Sequence, residues 1–335
     1  MKRNYLRFGF RCHTTQVAAY PIFIPQINSM KYLKYSLIIT ACLLCAVVCV
    51  KNRHKKIIRV LIVDGFSNHD WKQTTKMVKQ ILEGPGLFQI TVSTIPINLQ
   101  DTTVQSNWEP NFKKYDVVIQ NTNNIQNPKL KWPLRVQREL ENYVKNGGGL
   151  YILHSANNAY PDWPGYNQMI GLGWRSKNFG YALRVDSLGK IDSIPPGQGQ
   201  DTYHNDRSNL LICVLNEHPI NAAYPKQWLT PDVELYRFAR GPAQNLKVLS
   251  YANDPLTGIN WPVEWIVKYG KGKVYVSSMG HLWKGDTYPP GYRCVGFQTT
   301  MIRAVEWLGT GKVTFPLPKN FPTSTAVSMV PPEVK

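Results

Sequence analysis

No aspartate or glutamate occurs before Asp64. The opening stretch carries positive charge alone, in Lys2, Arg3, Arg7, Arg11, Lys31, Lys34, Lys51, Arg53, Lys55 and Lys56. Setting these ten aside lowers the formal charge from +18 to +8. The remaining Lys and Arg are scattered and form no basic stripe, which argues against a nucleic-acid partner. Cysteine is scarce where a fold would use it. Cys12, Cys42, Cys45 and Cys49 precede residue 57, and only Cys213 and Cys294 lie beyond. The body holds no CxxC pair, so a cysteine zinc site is excluded there, and two buried thiols are favoured over a disulfide. The G-x-S-x-G elbow of many hydrolases is also missing: around Ser155, Leu153 and Asn157 stand where its glycines belong.

What is present begins with a leader. Lys31 and Lys34 precede the apolar run Ser36 to Val50, and a basic cluster closes it. The run is shorter than the about 20 residues of a full membrane span, so residues 30–56 are expected to be a signal peptide or a membrane anchor. Residues 1–29 read as an upstream extension, with Met30 the effective start. The protein is therefore expected to be exported, either periplasmic or membrane-anchored, touching the membrane only through this segment.

From Ile57 the pattern changes. Ile57 to Val63, Phe88 to Ile95, Tyr115 to Gln120 and Leu150 to Leu153 read as strands. Lys72 to Glu83, with Met77, Val78, Ile81 and Leu82 as its stripe, and Leu134 to Lys145 read as helices. Asn68 or Asp70 is placed to cap the first of them. Strands alternating with helices at this spacing predict an α/β fold, a doubly wound and mostly parallel sheet with helices on both faces. The second half is strand-rich: a hairpin in 183–199, then Leu210 to Leu215, Val233 to Phe238, Lys247 to Tyr251, Val263 to Val267 and Lys273 to Ser277. A final helix spans Phe297 to Leu308. The domain is expected over 57–315, with 316–335 a loose proline-rich tail.

Ligands of open α/β sheets bind outside the carboxyl ends of the strands. Polar residues crowd several such ends here: His69 and Asp70, Asn121 to Asn124, His154 and Ser155, and His281. Imidazole serves both metal binding and proton transfer near neutral pH. His69, His154 and His281 are thus candidate ligands for a divalent ion such as Zn²⁺, with Asp70 orienting His69. Each could instead be a histidine that only bonds a loop. His154, Ser155, Glu234 and Glu264 are the candidate catalytic residues. Asp232 and Glu234 lie two apart on one strand face; the structural alternative is an ion pair with Arg237 or Arg240. Glu264 has apolar neighbours that would raise its pKa if buried. Asp70, Trp71, Asn123, Asn157, Asn158, Trp174, His204 and Trp283 are candidate substrate contacts, the aromatic ones suited to stacking on sugar rings.

VLIVDGFSNHDW, GGGLYILHSA, EHPI, DVELY and PVEWIVKYGKGKVYVSSMGH, in this order, resemble the ThuA-like (trehalose utilisation) family of the class I glutamine amidotransferase-like superfamily. The resemblance covers about residues 57 to 310. It implies a flavodoxin-like fold, with the amidotransferase nucleophile position near His154 and Ser155. No cysteine stands there, so glutamine hydrolysis by a thiolate is not expected. The resemblance further implies a role in carbohydrate metabolism. The expected function is hydrolysis or elimination on a sugar or keto-sugar derivative, a small-molecule carbohydrate substrate. The alternative is a non-catalytic sugar-binding protein on the same fold, and an oligomer-forming scaffold is a third reading that leaves a homo-oligomer open.

Overall fold

The computed structural model describes residues 56–97 and 103–331. The expected extension over 1–29 and the leader over 30–56 lie outside them, apart from Lys56. Among the described residues no helix is long and apolar enough to cross a membrane.

β1 (Ile58–Asp64) leads through a turn into α1 (Trp71–Glu83), then β2 (Phe88–Thr94) and a short helix α2 (Thr103–Ser106). β3 (Val117–Gln120), α3 (Leu134–Lys145) and β4 (Gly149–Leu153) follow, then α4 (Pro164–Ile170) and the hairpin β5 (Tyr181–Val185) and β6 (Ile191–Ile194). The second half contains β7 (Ser208–Val214), β8 (Gln227–Val233), the two-residue β9 (Arg240–Gly241), β10 (Leu246–Asn253), β11 (Asn260–Tyr269) and β12 (Gly272–Ser277). Helices α5 (Pro290–Arg293) and α6 (Val295–Thr310) complete it.

The main path of the sheet runs β2-β1-β3-β4-β12-β11-β10-β7-β8. Its first five strands are mutually parallel. From β12 onward the neighbours are antiparallel. The expected doubly wound α/β architecture is thus present, extended by an antiparallel wing. Alternate side chains of each strand enter opposite cores. Val60, Ile62, Ile119, Tyr151 and Tyr275 pack with α1 and α6, while Leu61, Val63, Val118, Leu150 and Val274 pack with α3 and α4. Asp70 caps α1 by accepting the Gln73 N–H at 3.0 Å, and the stripe Met77, Val78, Ile81 and Leu82 is buried as its spacing requires. Gly148 admits no side chain, because a Cβ there would lie 2.4 Å from the Tyr143 ring.

Two expectations fail. Val233 to Phe238 is not a strand: β8 ends at Val233, after Asp232 has taken a left-handed backbone with φ of 63°. Asp232 forms a bulge there, with Val233 pairing once more with Ser208 before the segment leaves the sheet. The proline-rich segment after Phe315 is not loose either. Leu229 N–H donates to the Thr323 carbonyl, and Val295 N–H to that of Ser328. Phe321 packs on Tyr224 and Trp228 at ring distances of 4.4 and 5.4 Å. Proline removes a donor from the backbone, but its apolar neighbours still find a core.

Candidate functional site

β1, β4 and β12 are parallel, so their carboxyl ends share one edge of the sheet, and each end delivers a histidine. His69 lies in the turn after β1. His154 follows β4 directly, at a left-handed φ of 40°. His281 follows β12, just past Gly280. Their rings lie 4.9 to 5.2 Å apart, centroid to centroid. All three are buried, at 7%, 2% and 4% exposure.

Glu234 reaches the same point from the irregular segment after β8. Its Oε1 is 3.1 Å from His281 Nε2, and its Oε2 is 3.4 Å from His154 Nε2 and 3.6 Å from His204 Nε2. One donor atom from each of His69, His154, Glu234 and His281 can be chosen so that all lie within 4.8 Å of one another. Two donors facing each other across one ion stand about 4 Å apart, given bond lengths of about 2.0–2.1 Å.

Two of the rings are held by their outer nitrogens. His154 Nδ1 donates to the Ser278 carbonyl at 2.6 Å, which leaves Nε2 as the lone-pair nitrogen. His69 Nδ1 donates to Asn68 Oδ1 at 2.9 Å, and Asn123 Nδ2 donates to the same oxygen at 2.7 Å. This is how metal-binding imidazoles are oriented by neighbours one layer out. His69 Nε2, His154 Nε2 and His281 Nδ1 are buried without a hydrogen-bond partner. Each such atom costs about 1–3 kcal/mol, and a divalent ion would remove that cost for nitrogens that bind it. Burial, reinforced by the neighbouring imidazoles and, for His281, by Arg207, pushes His69 and His281 down to about 2. Both are therefore neutral at working pH, the form that binds metal. Burial opposes ionisation of Glu234, but the surrounding imidazoles outweigh it and hold the carboxyl below its ordinary value.

His69, His281 and Glu234 of the cluster form one wall of a cavity of about 370 Å³, bordered also by Asn68, Ile125, Asn158, Trp174, His204, Arg207, Tyr236 and Trp283. Trp283 is 41% exposed and stacks along His281 at 6.1 Å. Trp174 stands edge-on to His204 and Tyr236. A groove of equal volume between α1 and α6 holds no histidine, cysteine or carboxylate.

Of the residues expected from sequence, His69, His154, His281, Glu234, Asn158, Trp174, His204 and Trp283 meet here. Others do not. Asp70 is the helix cap, and Asn68 takes the orienting role expected of it. Trp71 opens α1 and lies under Lys72. Asn123 supports Asn68 without bordering the cavity. Ser155 and Asn157 are buried in the turn after His154, and the Asn157 side-chain amide has no partner. Glu264 is 5% exposed and accepts from Ser250 Oγ at 2.5 Å and from the Tyr275 hydroxyl in the core. Asp232 pairs with Arg207 at 3.3 Å, not with Arg237 or Arg240. Asn68, Arg207 and Tyr236 were not anticipated. Tyr236 stands two residues beyond Glu234, a spacing that could have marked it.

The family model described as trehalose utilisation, ThuA, matches residues 59–308. Among solved structures, a ThuA-like protein from Parabacteroides merdae is similar with a TM-score of 0.76 and 30% identity, over 82% of this chain and 98% of that one. Two looser likenesses carry no weight. One is the glutaminase domain of Trypanosoma brucei CTPS with bound acivicin, with a TM-score of 0.41 and 6% identity over 80% of this chain and 98% of that one. The other is the exo-β-1,4-mannosidase Op5Man5 from Opitutaceae bacterium strain TAV5, with a TM-score of 0.30 and 11% identity over 66% and 31%. No curated protein matches significantly. The family model spans nearly the whole α/β body and the Parabacteroides structure shares its fold, so the chain belongs to the ThuA family, on the class I glutamine amidotransferase-like fold, with a role related to carbohydrate utilisation.

Proposed function

We propose that this protein is an enzyme of hydrolase or lyase type acting on a sugar or keto-sugar derivative at a divalent-metal centre. The observation that carries the reading is the convergence of three buried imidazoles and one carboxylate, three of the four bordering a cavity walled by tryptophans. His69, His154 and His281 would hold the ion, zinc being the first choice for an imidazole-rich set. A bound ion of this kind supplies Lewis-acid polarisation of an oxygen and lowers the pKa of a water.

The chain's own groups do the rest. Asn68 and the Ser278 carbonyl keep the His69 and His154 ring planes fixed, which limits the reorganisation needed when substrate arrives. Glu234, ionised at neutral pH, is the group to take and return a proton, with His204 Nε2 3.6 Å from its Oε2 as the next station. Trp283 and Trp174 present aromatic surface to the apolar face of a sugar ring, and Asn158 and Arg207 offer polar contacts to hydroxyls. The leader read at residues 30–56 would place this activity in the periplasm or at the membrane.

The test is metal content by plasma mass spectrometry on untagged protein, wild type against His154→Ala. Near-stoichiometric zinc, manganese or iron, lost in the variant, is the expected result. Absence of metal from both proteins, even after incubation with each ion, refutes the metal centre. Saturable sugar binding without turnover, indifferent to chelator, would make this a binding protein.

A further inference from the structure

A second cavity of about 540 Å³ adjoins the first and shares His204 and Arg207 with it. The intervening segment divides its side chains between the two. Glu234 and Tyr236 border the histidine cavity, while Leu235 and Arg237 border the other. On the opposite side runs the segment from Tyr203 to Ser208. The two segments are joined at Tyr203 with Arg237 and at Ser208 with Val233. Among the described residues, no backbone hydrogen bond joins 204–207 to 234–236 in between. The ribbon is thus open where His204 and Arg207 border both cavities.

The two linings differ in chemistry. The histidine cavity is bordered by Trp174, Tyr236 and Trp283. Apart from the shared His204, the second has no aromatic ring: its apolar wall is Leu210, Leu235, Pro255 and Leu256, facing a polar rim that includes Asn205, Asp206 and Ser208. Aromatic faces suit the C–H face of a sugar through their quadrupole. An aliphatic wall rewards area burial alone, and hydroxyls placed against it cost free energy unless bonded. Of the charges nearby, Arg237 is paired with Asp254 and Arg207 with Asp232 and Asp286, while the exposed Asp206 stands on the solvent side of the lining. One donor is left over: Arg237 Nε is buried without a partner, its guanidinium 5.1 Å from the Tyr203 ring. A cavity of about 150 Å³ already takes a benzene ring, so the space is ample.

We propose that this second cavity seats the aglycone of the substrate, an apolar ring of aryl type with one acceptor oxygen for Arg237. The substrate would then be a glycoside that bridges both cavities past His204 and Arg207. This rests on the sugar-binding reading above and adds to it a site for the leaving half.

The experiment uses the full-length, zinc-loaded protein and matched pairs of methyl and 4-nitrophenyl glycosides of glucose, galactose, mannose and xylose, in both anomers and as their keto forms, titrated by calorimetry. At least one 4-nitrophenyl glycoside is expected to bind tenfold or more tightly than its methyl partner. Ser208→Trp, at an exposed position bordering only the second cavity, should abolish that advantage and leave the methyl glycoside's affinity unchanged. Leu256→Ser, on the exposed rim, should reduce the advantage several-fold. Equal affinities within every pair, or an advantage that survives both substitutions, would overturn the aglycone site while leaving the sugar pocket in place. Binding of no glycoside of either kind would overturn the sugar-binding reading, and the aglycone site with it.

Discussion

Acidifying the metal-free protein should unfold it earlier than its carboxylates alone would dictate. Burial holds His69 and His281 near pKa 2, against 6.5 in the unfolded chain. The sign follows from proton counting. Below pH 6.5 the unfolded chain takes up protons on these two imidazoles and the native state does not, so stability is intact above pH 6.5 and falls as pH drops from there towards 2. Each group costs about 1.36 kcal/mol per pH unit. Between pH 6.5 and 5.0 the pair removes at most about 4 kcal/mol, a large part of the about 5–15 kcal/mol of a typical domain. With a denaturant slope of about 3 kcal/mol per molar, the urea midpoint drops by about 1 M. The assay is urea unfolding at pH 5.0, 6.0 and 7.5 in chelator, comparing wild type with the His69→Gln, His281→Gln double variant. The variant should show a shallower dependence on pH below 6.5, whatever its stability at pH 7.5. Equal pH dependence in the two proteins would refute the claim that these histidines are held neutral by burial.

Glu264→Gln should stabilise the protein at pH 8 and bring no gain at pH 4. Burial raises the native carboxyl's pKa against the opposing hydrogen bonds from Ser250 and Tyr275, so wild type loses stability as pH rises past the unfolded value of 4.5; urea midpoints at the two pH values decide it. Phe321→Ala should cost about 3 kcal/mol, read as a lowered thermal midpoint, because Phe321 fills the space between Tyr224 and Trp228. Trp283→Ala should weaken sugar binding about tenfold, equivalent to about 1.4 kcal/mol, with metal content unchanged, which calorimetry and mass spectrometry check together.

The histidines were legible in the sequence because strand ends are legible. An apolar run followed abruptly by polar residues marks a tip, and parallel strands align their tips along one edge. Glu234 was named as a candidate, but its place in space was not readable. Val233 to Phe238 alternates like a strand, but β8 ends at Val233, just past a bulge at the left-handed Asp232. Glu264 misled for a different reason. A lone carboxylate between Val263 and Trp265 looks like a site residue, yet Ser250 on β10 and Tyr275 on β12 accommodate it, and those neighbours are set by pairings far apart in the chain. Proline content made the last segment look loose, although Phe321 and Met329 recur at intervals that let an extended chain pack.

His154 stands at the strand tip around which the candidate site is built. The residue after β4 has a left-handed φ of 40°, a strain of about 1–3 kcal/mol that persists only where the surroundings enforce it. The Ser278 carbonyl, bonded to Nδ1, is part of that enforcement, and it aims Nε2 at Glu234 and the neighbouring rings. Strain and ligation can be separated. Glycine adopts this backbone freely and alanine does not. His154→Gly should therefore be more stable than His154→Ala by about 1 kcal/mol in chelator, while both lose the metal to the same extent. If the glycine variant proves no more stable, the turn is not strained, and the imidazole's bond to Ser278 alone accounts for its position.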